Sequence, residues 1–156
     1  MRKYLLEVSD LRTHFYTEAG VVKAVDGVTV NVEETKTIGL VGESGSGKSV
    51  TAQSVLRIVP KPGRIVAGSI KYDGEDLLRK TETEMRKMRG AQMAIIFQDP
   101  TTSLNPLYTV QKQLTDILAT HEHITRRKAT EIAEELLEKV GISEPAKRMT
   151  ERLASC

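Results

Sequence analysis

The sequence predicts an α/β fold with an antiparallel β-region in front of it and a helical segment behind it. Three observations carry that reading. Gly42-Glu43-Ser44-Gly45-Ser46-Gly47-Lys48-Ser49 fits G-x-x-x-x-G-K-[ST], the phosphate-cradling loop that joins a buried strand to a helix. Val28, Val30 and Val32 alternate with polar residues, the period of a half-buried strand. Beyond Val110 the apolar residues recur at helical spacing.

Taken in order, residues 1–35 read as a small antiparallel β-region. Residues 5–11 form one strand and Val21-Val22-Lys23-Ala24-Val25 a second. Asp26-Gly27 makes a turn before the alternating valines, and Thr17-Glu18-Ala19-Gly20 is a loop. Residues 36–98 read as the α/β core. Thr37-Ile38-Gly39-Leu40-Val41 is a short apolar run suited to a buried parallel strand. A helix over residues 49–59 follows the glycine loop, with Val50, Ser54, Val55 and Ile58 on one face and Pro60 and Pro62 as its stop. Residues 65–72 are a strand closed by Asp73-Gly74. Residues 81–89 are a short helix, since Thr81 with Glu84 makes a capping box and Gly90 stops it. Met93-Ala94-Ile95-Ile96-Phe97 is a second buried strand, ended by Gln98-Asp99-Pro100. Residues 99–156 read as helical. One helix puts Val110, Leu114, Ile117, Leu118 and His121 on one face. Another runs over residues 126–140, with Ile132, Ala133, Leu136 and Val140 inward and Gly141 as its stop.

Composition bounds the rest. With 156 residues the chain makes one domain at most, and 39% hydrophobic residues is ordinary for a soluble protein. No apolar run approaches the roughly 18 residues of a membrane span, and the basic start at Met1-Arg2-Lys3 lacks a signal peptide's apolar core. A cytoplasmic location follows as the expectation. The 23 basic and 21 acidic residues leave a net charge of +2, which argues against nucleic acid as a partner. Arg126-Arg127-Lys128 reads as the solvated first turn of a helix. Cys156 is the single cysteine and excludes an internal disulfide. His14, His121 and His123 read as surface histidines rather than metal ligands.

The residue types of the glycine loop follow from phosphate chemistry. Glycines let the backbone turn tightly and bring its N–H groups up to an anion. Lys48 reaches the outer phosphates and the Ser49 hydroxyl can hold Mg²⁺. The helix that starts there adds about half a positive charge from its dipole. A Gly/Ser-rich surface loop would lack the strand before and the helix after.

These segments together resemble the ATP-binding subunit of an ABC transporter, more narrowly of the oligopeptide, dipeptide and nickel importers. The carrying residues are Gly20-Val21-Val22-Lys23-Ala24-Val25-Asp26-Gly27-Val28, then Val41 to Ser49. They continue with Gly68-Ser69-Ile70, Asp73-Gly74, Arg89-Gly90, Ile95-Ile96-Phe97-Gln98-Asp99-Pro100 and Ser103-Leu104-Asn105-Pro106. The resemblance runs over residues 5–148 and implies an ABC-type P-loop NTPase fold, present in part. It implies ATP and Mg²⁺ as ligands. Gly42, Glu43, Ser44, Gly45, Ser46, Gly47, Lys48, Ser49 and Val50 would touch the nucleotide, and Phe15 or Tyr16 would stack on adenine. Gln98 matches the glutamine that sits near Mg²⁺ and the γ-phosphate, so Lys48 and Gln98 are the catalytic candidates and Ser49 and Gln98 the metal candidates. The implied partners are transmembrane permease subunits, a second ATP-binding subunit and, indirectly, a solute-binding protein. The implied place is the cytoplasmic face of the membrane.

Two departures qualify the resemblance. Glu34-Thr35-Lys36 stands where the family usually carries glycine, and Glu151 to Cys156 does not lead into the family's L-S-G-G-Q signature. That signature, the Walker B aspartate with its glutamate and the switch histidine are absent from these 156 residues. The expectation is the front half of a domain, from a gene fragment, a frameshift or a cut chain, with weak nucleotide binding, little turnover and low solubility. Two other readings remain open here. One is a small P-loop kinase with Asp99 on Mg²⁺. The other is a non-catalytic fragment that docks on the transporter through its helices.

Overall fold

The computed structural model describes residues 4–98, 103–122 and 124–152. They fall into two compact units, Met1–Ile95 and Ile96–Cys156.

The first unit is organised by a four-stranded sheet in the order β2-β1-β3-β4. Its strands are β1 (Leu6–Thr17), β2 (Gly20–Val32), β3 (Gly63–Tyr72) and β4 (Glu75–Asp76). All three pairings are antiparallel. Val8 lies opposite Val30 and Ile70, and Thr13 opposite Val25 and Ile65. The two valine runs expected as separate strands are one strand. Asp26 and Gly27 do not turn the chain back. Gly27 instead takes a left-handed φ of 86° within β2, and irregularities in the β1–β2 register absorb the extra residues. The turn at Asp73-Gly74 is as expected. Both residues have positive φ, the geometry of a two-residue hairpin turn into β4.

On one face of the sheet lies α1 (Lys48–Val55), and after a 3₁₀ turn at Leu77–Arg79 comes α2 (Glu82–Met88). The core joins Val8, Leu11, Val25 and Ile70 of the sheet to Leu77, Met85 and Met88. Fully burying such a side chain contributes about 1.5–3 kcal/mol. The expected capping box is present: the Thr81 hydroxyl accepts from the Glu84 N–H, and the Glu84 carboxylate accepts from the Thr81 N–H at 2.7 Å. Helix α1 ends at Val55, well before Pro60, because Arg57 adopts a left-handed φ of 53°. A buried hydroxyl pair joins it to the sheet, Thr13 Oγ1 to Ser54 Oγ at 2.8 Å, and Ser54 also donates to the Val50 carbonyl at 2.7 Å.

Two expected strands are not formed. Residues 37–41 and 94–97 carry no regular secondary structure and join no β-ladder, and residue 93 makes only an isolated parallel bridge to Arg89. The physical reason is that a strand needs a neighbour for its main-chain groups, and among the described residues none lies alongside. Val41 is 94% exposed and Ile96 95%. Next to residues 92–95 an apolar groove of about 460 Å³ opens between α1 (Ala52, Val55) and the strand ends at Leu6, Val32 and Tyr72.

The second unit holds α3 (Val110–Glu122), α4 (Arg126–Lys139) and α5 (Pro145–Thr150). Its buried side chains are Thr115, Ala129, Ala133 and Met149. The inward face of α3 is therefore centred on Thr115 and not on Ile117, which is exposed. On α4, Ala133 is inward as expected, whereas Leu136 and Val140 are exposed. Thr125 caps α4 by accepting from the Lys128 N–H, and Gly141 follows it with φ 81°. Helix α5 had no periodic signal in six residues. The Gln113 side chain donates to the Asn105 and Tyr108 carbonyls and accepts from the Asn105 N–H, tying the Ser103-Leu104-Asn105-Pro106 segment to α3.

Candidate functional site

The glycine loop runs from Gly42 to Gly47 and delivers the chain into the N-terminus of α1. The helix starts without a side-chain cap: Gly47 is its N-cap residue with φ 90°. Helix geometry leaves the N–H groups of Lys48, Ser49 and Val50 without an intrahelical acceptor. The first helical bond is Thr51 N–H to the Gly47 carbonyl at 2.8 Å, reinforced by the Thr51 hydroxyl on the same oxygen at 2.9 Å. Gly47 is required twice over. Its φ is left-handed, and a Cβ there would fall on the Ala24 carbonyl oxygen of β2. At Gly42 a Cβ would meet Ser46 Oγ at 2.7 Å.

The Lys48 ammonium lies over this loop. It donates to the Gly42 carbonyl at 2.7 Å, the Glu43 carbonyl at 2.6 Å and Ser46 Oγ at 3.3 Å. The loop closes on itself through Ser46 N–H to the Glu43 carbonyl at 3.2 Å. Ser49 is exposed one residue further on, at the start of the helix. So the structure brings Gly42 to Val50 together as one turn that opens α1, with the Lys48 ammonium bonded across it. Positive charge from Lys48 and from the helix dipole falls on the same spot, the electrostatic requirement for an anion.

The two aromatic candidates are separated by strand alternation. Phe15 is half-buried and lies against Val59 and Gly63, where a Cβ on Gly63 would meet its ring at 2.7 Å. Thr13, two residues earlier, faces α1, so Phe15 belongs to the face that carries the glycine loop. Tyr16 is exposed, with the Arg64 guanidinium 5.6 Å from its ring centre. Gln98 is exposed and belongs to the second unit. Asp99, Pro100, His123 and Cys156 lie outside the described residues, and with them the reading that puts Asp99 on Mg²⁺.

Sequence reasoning missed Arg57 and the contacts of Arg89, both of which bind main-chain carbonyls around the far end of α1. Arg89 donates to the Leu56 and Arg57 carbonyls at 2.8 and 3.2 Å, and Arg57 to the Leu77 carbonyl at 2.9 Å. No spacing rule finds such contacts, because every residue carries a carbonyl.

The loop, the helix it starts and the antiparallel sheet beneath it define the class. Residues 25–155 match the ABC transporter family model, and the chain belongs to that family. Its relatives are specific. It is 47% identical to the oligopeptide transport ATP-binding protein OppD of Bacillus subtilis, over 94% of this chain and 41% of that protein. It is 41% identical to the dipeptide transport ATP-binding protein DppD of Escherichia coli, over 93% of this chain and 44% of that one. Among solved structures it is similar to the ATP-binding cassette MJ0796, described as a dimer in a post-hydrolysis state bound to ADP and Pi. The TM-score is 0.82 at 18% identity, covering 97% of this chain and 62% of that one. The chain thus spans less than half the length of the curated relatives it matches.

Proposed function

We propose that this chain is part of the ATP-binding subunit of an ABC-type importer for oligopeptides or dipeptides, a subunit that couples ATP binding and hydrolysis to transport. The observation that carries the reading is the Lys48 ammonium held across a glycine loop that opens the uncapped end of α1. Phosphate oxygens would replace the Gly42 and Glu43 carbonyls as acceptors, pairing the Lys48 ammonium with an anion in place of a neutral carbonyl dipole. The N–H groups of Lys48, Ser49 and Val50, which have no intrahelical acceptor, would take the remaining oxygens. Phe15, on the loop's face of the sheet, is the better placed of the two aromatics for adenine.

The residues fit Mg²⁺ as well. The Ser49 hydroxyl, exposed beside the loop, supplies one hard oxygen, and a magnesium ion of this kind takes its other ligands from phosphates and water. When bound, the ion would neutralise charge developing on the transferred phosphoryl group. Gln98 is proposed as a second contributor to that ion and to the γ-phosphate. Residues 1–35, 36–98 and 99–156 would be parts of one nucleotide-binding domain. It would act on the cytoplasmic face of the membrane with permease subunits, a second ATP-binding subunit and, indirectly, a solute-binding protein. The given 156 residues carry the glycine loop but no L-S-G-G-Q signature, so weak binding without efficient turnover is expected of them alone.

Titration of the chain with a fluorescent ATP analogue and Mg²⁺ tests the reading. Lys48→Ala should weaken binding at least about tenfold, since a charged hydrogen bond contributes about 1.5–3 kcal/mol. Equal affinity in parent and variant would overturn it. The chain's failure to bind the permease in co-purification would remove the transporter half of the proposal.

A further inference from the structure

The far end of α1 is built in an unusual way. The Arg57 N–H donates to the Ser54 carbonyl at 3.0 Å and the Ile58 N–H to the Gln53 carbonyl at 2.9 Å, the paired bonds that close a helix around a left-handed residue. Glycine normally fills that position because it has no Cβ penalty. Here it is arginine, with φ 53°. Its side chain donates to the Leu77 carbonyl at 2.9 Å and the Lys80 carbonyl at 2.5 Å, pinning the helix end to the 3₁₀ turn. Arg89, at the end of α2, comes in beside it. Its Nε donates to the Leu56 carbonyl at 2.8 Å and Nη2 to the Arg57 carbonyl at 3.2 Å, while Nη1 donates to Glu82 Oε1 at 2.6 Å. The Arg89 side chain is only 22% exposed. A cation thus sits on the negative end of α1, and a carboxylate fixes the cation.

Helix α1 has eight residues, about two turns. Its two ends are therefore mechanically one object. Its N-terminal amides carry the glycine loop, and its C-terminal carbonyls are held by Arg57 and Arg89. The Thr13–Ser54 bond ties its last turn to the sheet. We infer that Arg89 and Arg57 are positioning residues for the phosphate tail: by clamping the C-terminus of α1 to α2 and the 3₁₀ turn, they set the angle at which the loop amides and Lys48 meet a triphosphate. The inference rests on the phosphate-binding reading of the loop. It assigns the two arginines no contact with the nucleotide. Their effect is confined to the aim of the loop, so it should fall on ligands with a phosphate tail and spare those without one.

The test measures affinity of the 156-residue chain for a fluorescent ATP analogue with Mg²⁺ and, by competition, for adenosine, together with the melting midpoint from circular dichroism. Arg89→Met should weaken the triphosphate about tenfold, the scale of loss from misplacing a site by a fraction of an ångström to an ångström, and leave adenosine unchanged. Arg89→Lys should recover part of the loss, since lysine keeps the charge but lacks the planar fork. Arg57→Gly is the stricter variant. Glycine suits the left-handed backbone, so relief of that strain offsets part of the two lost hydrogen bonds in the melting midpoint while triphosphate affinity still falls. Lys48→Ala is the reference. If it leaves ATP affinity intact, the loop reading fails and the clamp with it. If Lys48→Ala weakens ATP but Arg89→Met and Arg57→Gly do not, the clamp alone is overturned. A parallel loss of adenosine and ATP would also overturn it, because it would mean a general structural role.

Discussion

Within the first unit, β1 to β3 and residues 37–41 are written in the same alphabet, yet only one of them becomes sheet. Val8, Leu11 and Ile70 are fully buried, with antiparallel neighbours on both sides of β1. Ile38, Leu40 and Val41 are as apolar and as β-branched, but they are exposed and joined to no ladder. The difference lies in partners and not in propensity. A short apolar run is a strand only where another strand satisfies its N–H and C=O groups, so β-propensity measures fit to a half-buried surface. Hence the hairpin-connected part of the chain has a core of its own, and the segment that leads into the glycine loop does not.

Substitution should expose that contrast most strongly in stability. Leu11→Ala deletes a fully buried side chain and should cost about 2–5 kcal/mol, read as a large drop in the urea midpoint. Val41→Ala, at a 94% exposed side chain, should stay within about 0.5 kcal/mol of the parent. Comparable losses at the two positions would mean that residue 41 is packed in solution. The same pair of variants sharpens the site as well. Nucleotide affinity should follow neither change beyond its effect on folding, because neither side chain reaches the loop's donors.

A smaller effect is expected at the start of α2. Thr81→Ala removes the helix cap and should cost about 1 kcal/mol by chemical denaturation. It also bears on acid stability. The Thr81 hydroxyl, and then its N–H, hold the Glu84 carboxyl below the usual carboxylate range, and Arg89 does the same for Glu82. Each folded pKa lies below the unfolded one. The stabilisation is therefore complete above the unfolded carboxylate value, about 4.3 for glutamate, and is lost as pH falls through the folded value. In a pH series of urea midpoints, the parent should lose stability below about pH 4 more steeply than Thr81→Ala. Identical slopes would mean that the Thr81–Glu84 bonds do not survive in solution.

Features with a local cause were legible in the sequence. The capping box needs only Thr81 and Glu84 three residues apart, and the loop needs only its glycines, Lys48 and Ser49. The Asp73-Gly74 turn and the stop at Gly141 follow from left-handed backbone at glycine. Features with a distant cause were not legible. Residues 37–41 and 94–97 have strand composition but no ladder. Asp26-Gly27 has turn composition, but β2 runs through it, with Asp26 opposite Arg12 and Gly27 taken up as an extra residue in the ladder. On α4, Leu136 and Val140 keep helical period with Ala133 yet stay outside, since the contact there is made on Ala129 and Ala133. The arginines at the end of α1 bind carbonyls 20 to 33 residues away in the chain, a relation no local pattern encodes.

The hydroxyl pair between sheet and helix has a direction. Ser54 gives its one proton to Val50, so Thr13 must be the giver in the Thr13–Ser54 link, and the relay runs from strand to helix backbone. The two ends are consequently unequal under the same chemical edit. Valine at position 13 takes away a proton source and leaves Ser54 content with its carbonyl. Valine at position 54 leaves the Thr13 proton shut in an oily interior with nowhere to go, so the helix that launches the glycine loop tolerates an apolar strand beneath it better than the strand tolerates an apolar helix.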